Sequence, residues 1–145
     1  MLECRRTFMG WLMATREDLQ NLAEQRLAEA KVLLREGRNS GAYYLAGYAI
    51  EFGLKSCIAK TFQPHAIPNR AFVNDVHTHD LAKLVKLAGL SPDLEKASQD
   101  TTFAARWGVV SNWGEASRYE FQDAVAATAL VSCCEEVLKW IRPHW

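Results

Sequence analysis

The sequence predicts an all-α fold: a five-helix, mostly antiparallel bundle with an N-terminal arm. Three observations predict it. Apolar residues recur at steps of three and four along the longer segments, the spacing of one helix face, and no stretch alternates with the period of two that a half-buried strand requires. Helix punctuation brackets these segments: Gly37 and Gly89 stand where helices end, and Ser91-Pro92-Asp93 and Ser117-Arg118-Tyr119-Glu120 stand where helices start. The connection Arg38-Asn39-Ser40-Gly41 is tight, and a tight turn sends the next helix back antiparallel to the last.

At 145 residues the chain suits one domain with a core of its own. Its 17 basic and 17 acidic side chains cancel, so no global positive field steers it to nucleic acid, and any such contact must use a local patch. No run approaches the roughly 20 apolar residues of a membrane span. The cysteines, Cys4, Cys57, Cys133 and Cys134, lack zinc-finger spacing. Cys57 and Cys134 read as core thiols, and reduced thiols suit a cytoplasmic protein. Nothing in the residues calls for a cofactor.

Residues 1–16 read as the arm and 17–145 as the helical domain. The arm has a basic start and a short apolar run, but the charged Arg16-Glu17-Asp18 follows at once; Phe8, Trp11 and Leu12 are expected to pack on the domain or on a partner. Thr15-Arg16-Glu17-Asp18 is a capping signal for the first helix, whose apolar stripe is Leu19, Ala23, Leu27, Ala30 and Leu34. The central helix should run from Gly41 to about Phe62. Tyr43, Gly47, Ile50, Leu54 and Cys57 line one face, and Tyr44, Tyr48, Phe52 and Ile58 add apolar surface elsewhere, so it belongs in the middle of the bundle. An interior glycine costs about 0.8–1 kcal/mol against alanine; Gly47 and Gly53 therefore imply close approach of a neighbouring helix. Glu51 and Lys55 make an i, i+4 pair worth about 0.3–0.5 kcal/mol on an exposed face.

Pro64 and Pro68 make 63–78 the longest loop. Residues 80–89 form a short helix buried through Leu81, Leu84, Val85 and Ala88, capped by Thr78 or His79. Ser91 as N-cap and Pro92 at the first helical position open the fourth helix, with Leu94, Ala97, Ala104 and Trp107 as its apolar edge. Residues 108–119 are a connector anchored by Trp113 and Tyr119. A capping box at 117–120 opens the last helix, whose stripe is Ala124, Ala127, Val131, Cys134, Leu138 and Ile141, and Pro143 stops it.

Several pieces stand in a telling order: Ala28-Glu-Ala-Lys-Val-Leu-Leu-Arg-Glu-Gly37, then Ala42-Tyr-Tyr-Leu-Ala-Gly-Tyr-Ala-Ile-Glu-Phe-Gly-Leu-Lys55, His79-Asp-Leu-Ala-Lys-Leu84, Trp113 and Arg118-Tyr119. Together they resemble a HEPN domain over roughly residues 17–142. The resemblance implies a small all-α fold and one of two functional styles. Many such domains are metal-independent ribonucleases marked, in their second half, by Arg, four to six residues, then His, often with a Tyr soon after, and two copies meet at a dimer cleft. In that chemistry a basic His removes the ribose 2′-OH proton, and an Arg fork stabilises charge at phosphorus. Others lack the mark and act as binding modules beside nucleotidyltransferase-like partners encoded as toxin–antitoxin pairs.

Arg70 and His77 satisfy the bare mark but fall in the Pro-bounded loop rather than the second half. Arg106 is better placed, yet Ser111 or Asn112 stands where the His belongs and Trp113 where the Tyr would be. Neither Ser nor Asn is a general base near neutral pH. Arg118-Tyr119 is open to two readings: connector packing with Arg118 on a carboxylate, or Arg118 and Arg106 together in a phosphate-binding cleft, where a guanidinium donates in parallel. His77-Thr78-His79-Asp80 offers at most three metal ligands, so capping is the better account and no metal is assigned; His65 and His144 receive no role. The expectation is a cytoplasmic homodimer, the assembly also suggested by Trp140, Trp145 and the apolar arm, that binds RNA or nucleotide through Arg106, Arg118 and Tyr119 and pairs with a nucleotidyltransferase-like protein. A ribonuclease using an unusual Arg/His pair and a purely structural interaction domain are the alternatives.

Overall fold

In the computed structural model, which describes residues 14–145, helix α1 (Arg16–Arg35) begins on the cap foreseen in the sequence: Thr15 Oγ1 accepts from the Asp18 amide at 3.1 Å and Asp18 Oδ2 accepts from the Thr15 amide at 3.0 Å. It ends at Gly37, whose φ of +71° only glycine adopts freely. There the Arg38 amide reaches Leu33 O and the Gly37 amide reaches Leu34 O, the paired bonds that close a helix end. The chain returns as α2 (Asn39–Ala59). Then follow α3 (Arg70–Val76), α4 (Leu81–Leu87), α5 (Ser91–Ala97), α6 (Thr101–Ser111), a 3-10 turn over Glu115–Tyr119, α7 (Ala124–Ile141) and a closing 3-10 turn, Arg142–His144. The described residues are all-helical, without strands, and none of their helices is long and apolar enough to cross a membrane.

Helix α2 occupies the centre. It packs along α1, against α7, and against α4 and the Glu115–Tyr119 turn. Its buried residues, among them Ala42, Ala46, Ala49, Ile50, Leu54, Cys57 and Ile58, lie on most of its circumference, as an all-round apolar helix must. The expected stripes are buried at Leu19, Ala23, Leu27 and Ala30 of α1, and at Ala127, Val131, Cys134, Leu138 and Ile141 of α7. Helix α1 runs antiparallel to α7, since Lys31 meets Glu135 at 2.6 Å while Arg142 forks onto Glu24 at 2.7 and 2.9 Å. That fork holds the Glu24 carboxyl below its ordinary range. Burial pushes the Cys57 thiol up to about 11 and raises that of Cys134, as core thiols require.

Seven α-helices, not five, are present among the described residues. The stretch 63–78 is not all loop: both prolines precede Asn69, which accepts from the Phe72 amide and starts α3. The predicted fourth helix is two. Its first part starts from Leu90, with Ser91 already inside the helix, and Asp100 caps a second by accepting from the Thr102 amide. Ser117 to Glu120 do not open the last helix; Asp123 does, accepting from the Ala126 amide at 2.7 Å. Of the two connector anchors, Trp113 is buried at 3 % exposure but Tyr119 stands 78 % exposed. The expected packing of Phe8, Trp11 and Leu12 lies outside the described residues.

Candidate binding site around Arg118 and His79

Steps of three and four along α2 bring Tyr44, Tyr48, Glu51 and Lys55 to one side of the helix. Glu51 is a carboxylate inside the largely buried central helix, with a side chain only 2 % exposed. Two nitrogen-bearing side chains account for it. Lys55 Nζ donates to Glu51 Oε1 at 2.8 Å, and His79 Nδ1 lies 2.9 Å from Oε2. The Glu51–Lys55 pair is therefore an internal one rather than a surface pair.

His79 is delivered by the turn before α4. Asp80, not Thr78 or His79, caps that helix by accepting from the Lys83 amide, while Thr78 Oγ1 accepts from the Asp80 amide. The imidazole is thus free to bridge. Its Nε2 lies 2.9 Å from Glu115 Oε2, and the same oxygen lies 3.6 Å from Arg118 Nη1. A line of charged groups runs from Lys55 through Glu51, His79 and Glu115 to Arg118.

Trp113 supports this line. Gly47 leaves the space its indole fills: a Cβ there would fall 1.9 Å from Trp113 Cδ2 and Cε2. The close approach foreseen at Gly47 is thus by a connector tryptophan, whereas Gly53 meets Leu138 and Ile141 of α7 as expected of a helix contact. Tyr48 stands edge-on to Trp113 with centroids 5.1 Å apart, and to His79 at 6.0 Å. Its hydroxyl accepts from Tyr44 Oη at 3.3 Å, and burial, then this bond, raises its pKa.

At the outer end, the Arg118 guanidinium sits 4.8 Å from the centre of the Tyr119 ring. Phe121, two residues on, is fully exposed. Arg106 takes a different carboxylate, Glu136 of α7, at 3.7 Å, so the two arginines predicted to share a cleft have no partner in common. Arg70 begins α3 and His77 caps its end. Seven residues of helix separate them by about 10 Å, so the structure does not bring them together. Ser111 donates to Gly108 O, and Asn112 caps α6. His77, His79 and Asp80 also part company, and among the described residues no group of three or more His, Cys, Asp or Glu is placed to hold a metal.

The sequence assigns no binding role to Glu51 or Glu115 and offers His79 only as a cap or a metal ligand. One signal was available: an acid and a lysine at i, i+4 in the middle of an otherwise apolar, central helix demand an internal partner.

An all-α bundle around one apolar helix, with a polar line ending at Arg118, is the class of protein the structure defines. Residues 17–144 match the HEPN domain family, and the chain belongs to that family. No curated protein and no solved structure matches it.

Proposed function

We propose that the protein is an RNA- or nucleotide-associated binding module of toxin–antitoxin or defence type, with Arg118 gripping phosphate and Tyr119 stacking on a base. The exposed Arg118–Tyr119 stack carries this reading. Aromatic faces beside a guanidinium are how proteins hold single-stranded RNA, because every base has a face to stack and every nucleotide a phosphate to pair. Phe121 offers a second exposed ring next to it. The cleavage mark of the family needs an arginine and, four to six residues on, a histidine that acts as base. No histidine follows Arg106 at the four-to-six-residue spacing, and Arg70 and His77 lie at opposite ends of α3. These observations favour binding over a ribonuclease.

Fluorescence anisotropy with a labelled ten-nucleotide oligouridylate tests the reading. Tyr119→Ala is expected to cost about 1–3 kcal/mol of binding, the worth of one stacked base. Arg118→Ala should weaken binding and reduce the salt slope by about 0.7, one contact to a single strand. Binding unaffected by either substitution, in folded variants, would return both residues to a structural role.

The proposal extends to assembly, following the family resemblance: a homodimer in the cytoplasm, beside a nucleotidyltransferase-like protein. Light scattering on the wild type at tens of micromolar should give twice the chain mass; a monomer there removes the dimer.

A further inference from the structure

We propose that His79 and Arg118 form one anion site, that Glu115 is its built-in occupant, and that a phosphate of an RNA strand or nucleotide displaces Glu115 from it. This rests on the reading of Arg118 as a phosphate contact and extends that contact to a second residue, His79, and to a competitor within the chain.

One oxygen, Glu115 Oε2, faces both His79 Nε2 at 2.9 Å and Arg118 Nη1 at 3.6 Å. His79 meets a second carboxylate at its other nitrogen, Glu51 Oε2 at 2.9 Å. Glu51 is hydrogen-bonded at Nδ1 and Glu115 stands at ion-pair distance from Nε2, and only the protonated ring can donate toward both carboxylates. In that form His79 converges with Arg118 on a single carboxylate oxygen, the arrangement that also holds an oxyanion of phosphate.

The two glutamates differ in how firmly they are held. Glu51 is 2 % exposed on the central helix and is fixed from its other oxygen by Lys55. Glu115 is 39 % exposed, starts a short 3-10 turn after Gly114, and meets half-exposed cations, His79 at 38 % and Arg118 at 44 %. Exposed pairs of this kind contribute little to stability, so Glu115 is the one that yields. With the His79 ring protonated, Lys55, His79 and Arg118 against Glu51 and Glu115 leave one net positive charge on the line, and two once Glu115 swings out. A phosphodiester of a strand brings one negative charge to that state and the terminal phosphate of a nucleotide close to two, each with more than one acceptor oxygen for the two donors. Its base would then lie toward Tyr119, which already touches Arg118.

The test is a set of binding titrations with the labelled oligouridylate and, separately, with ADP, which tell a strand from a free nucleotide; melting temperature is recorded for every variant. Glu115→Gln keeps the shape of the side chain and removes its charge. It is expected to bind about three- to tenfold tighter, the worth of one or two exposed ion pairs. The gain should vanish in the Glu115→Gln/Arg118→Ala double variant, because the competitor and its target are then both absent. His79→Gln should weaken binding in the same assay. Unchanged or weaker binding by folded Glu115→Gln, while Arg118→Ala still loses affinity, overturns this proposal and leaves the binding-module reading standing. Absence of binding to either probe by both wild type and Glu115→Gln overturns the two together.

Discussion

Replacing Gly47 with alanine is expected to destabilise the protein by about 2–3 kcal/mol, the cost of overpacking a closed site. The sign is the opposite of intrinsic preference, since alanine is the better helix former by about 0.8–1 kcal/mol. Geometry decides against it. The new Cβ would lie 1.9 Å from two atoms of the Trp113 indole and 2.3 Å from a third. A rigid bicyclic ring cannot flex away from such a contact as a leucine methyl can, and at 3 % exposure Trp113 has no solvent to retreat into. The ring must leave its seat or α2 must shift, and either disturbs Tyr48, which stands against the same indole. Gly53 is the milder site: its added Cβ meets the ends of Leu138 and Ile141 at 3.1 and 3.3 Å, and flexible side-chain ends give way. Urea unfolding measures the effect, and a double-mutant cycle identifies its cause. Trp113→Ala alone should cost about 3–5 kcal/mol. Together with Gly47→Ala it should cost less than the sum, because the methyl then enters space the indole has left. A Gly47→Ala variant within about 0.5 kcal/mol of wild type would mean that the indole does not depend on this glycine.

Gly47 also illustrates what the chain discloses before it is folded. An interior glycine in an apolar helix announces close approach, and close approach is what occurs. The partner is not announced, because Trp113 arrives from a connector whose path depends on the packing of α6 and the 3-10 turn. The long helices are legible for the same reason: α1 and α2 repeat their apolar spacing over five turns or more, and the Thr15–Asp18 cap is a local pattern closed within four residues. Helix α3 has too few turns to show a period, and Asp100 looks like a residue within a helix until its side chain is seen capping the next one. The site divides along the same line. Arg118 and Tyr119 touch as sequence neighbours and were legible as a pair. His79 and Glu51 are 28 residues apart and meet only because α4 docks on α2, so spacing could not join them. Arg106 was legible as a well-placed arginine, but its partner Glu136 comes from α7 and draws it to a carboxylate of its own.

Removing the Glu51 carboxylate is expected to have the largest effect of any polar substitution described. On a helix surface the Glu51–Lys55 spacing would be worth about 0.3–0.5 kcal/mol, and its loss would scarcely register. Here the carboxylate is 2 % exposed and serves two donors, Lys55 at 17 % exposure and His79 at 38 %. Breaking a buried pair by deleting one partner costs about 3–5 kcal/mol, because the surviving charge is left without compensation. The partial exposure of Lys55 and His79 lets water recover some of that loss, so Glu51→Ala is expected to cost about 2–4 kcal/mol. Glu51→Gln should cost less: it keeps the volume and one acceptor oxygen but can satisfy only one of the two cations through it. Urea titration of the two variants beside wild type gives the order, alanine worst and glutamine between. A loss below about 0.5 kcal/mol for Glu51→Ala would put the pair in the surface regime and strip His79 of the carboxylate that orients it. The same variants reach the binding site from behind. Without Glu51 the His79 ring has no fixed acceptor at Nδ1, so its Nε2 is no longer held toward Glu115 and Arg118. Glu51→Gln should therefore weaken oligouridylate binding while leaving the salt slope contributed by Arg118 intact. That combination marks a residue that positions the site without touching the ligand, and loss of the Arg118 slope as well would mean that the whole turn had moved.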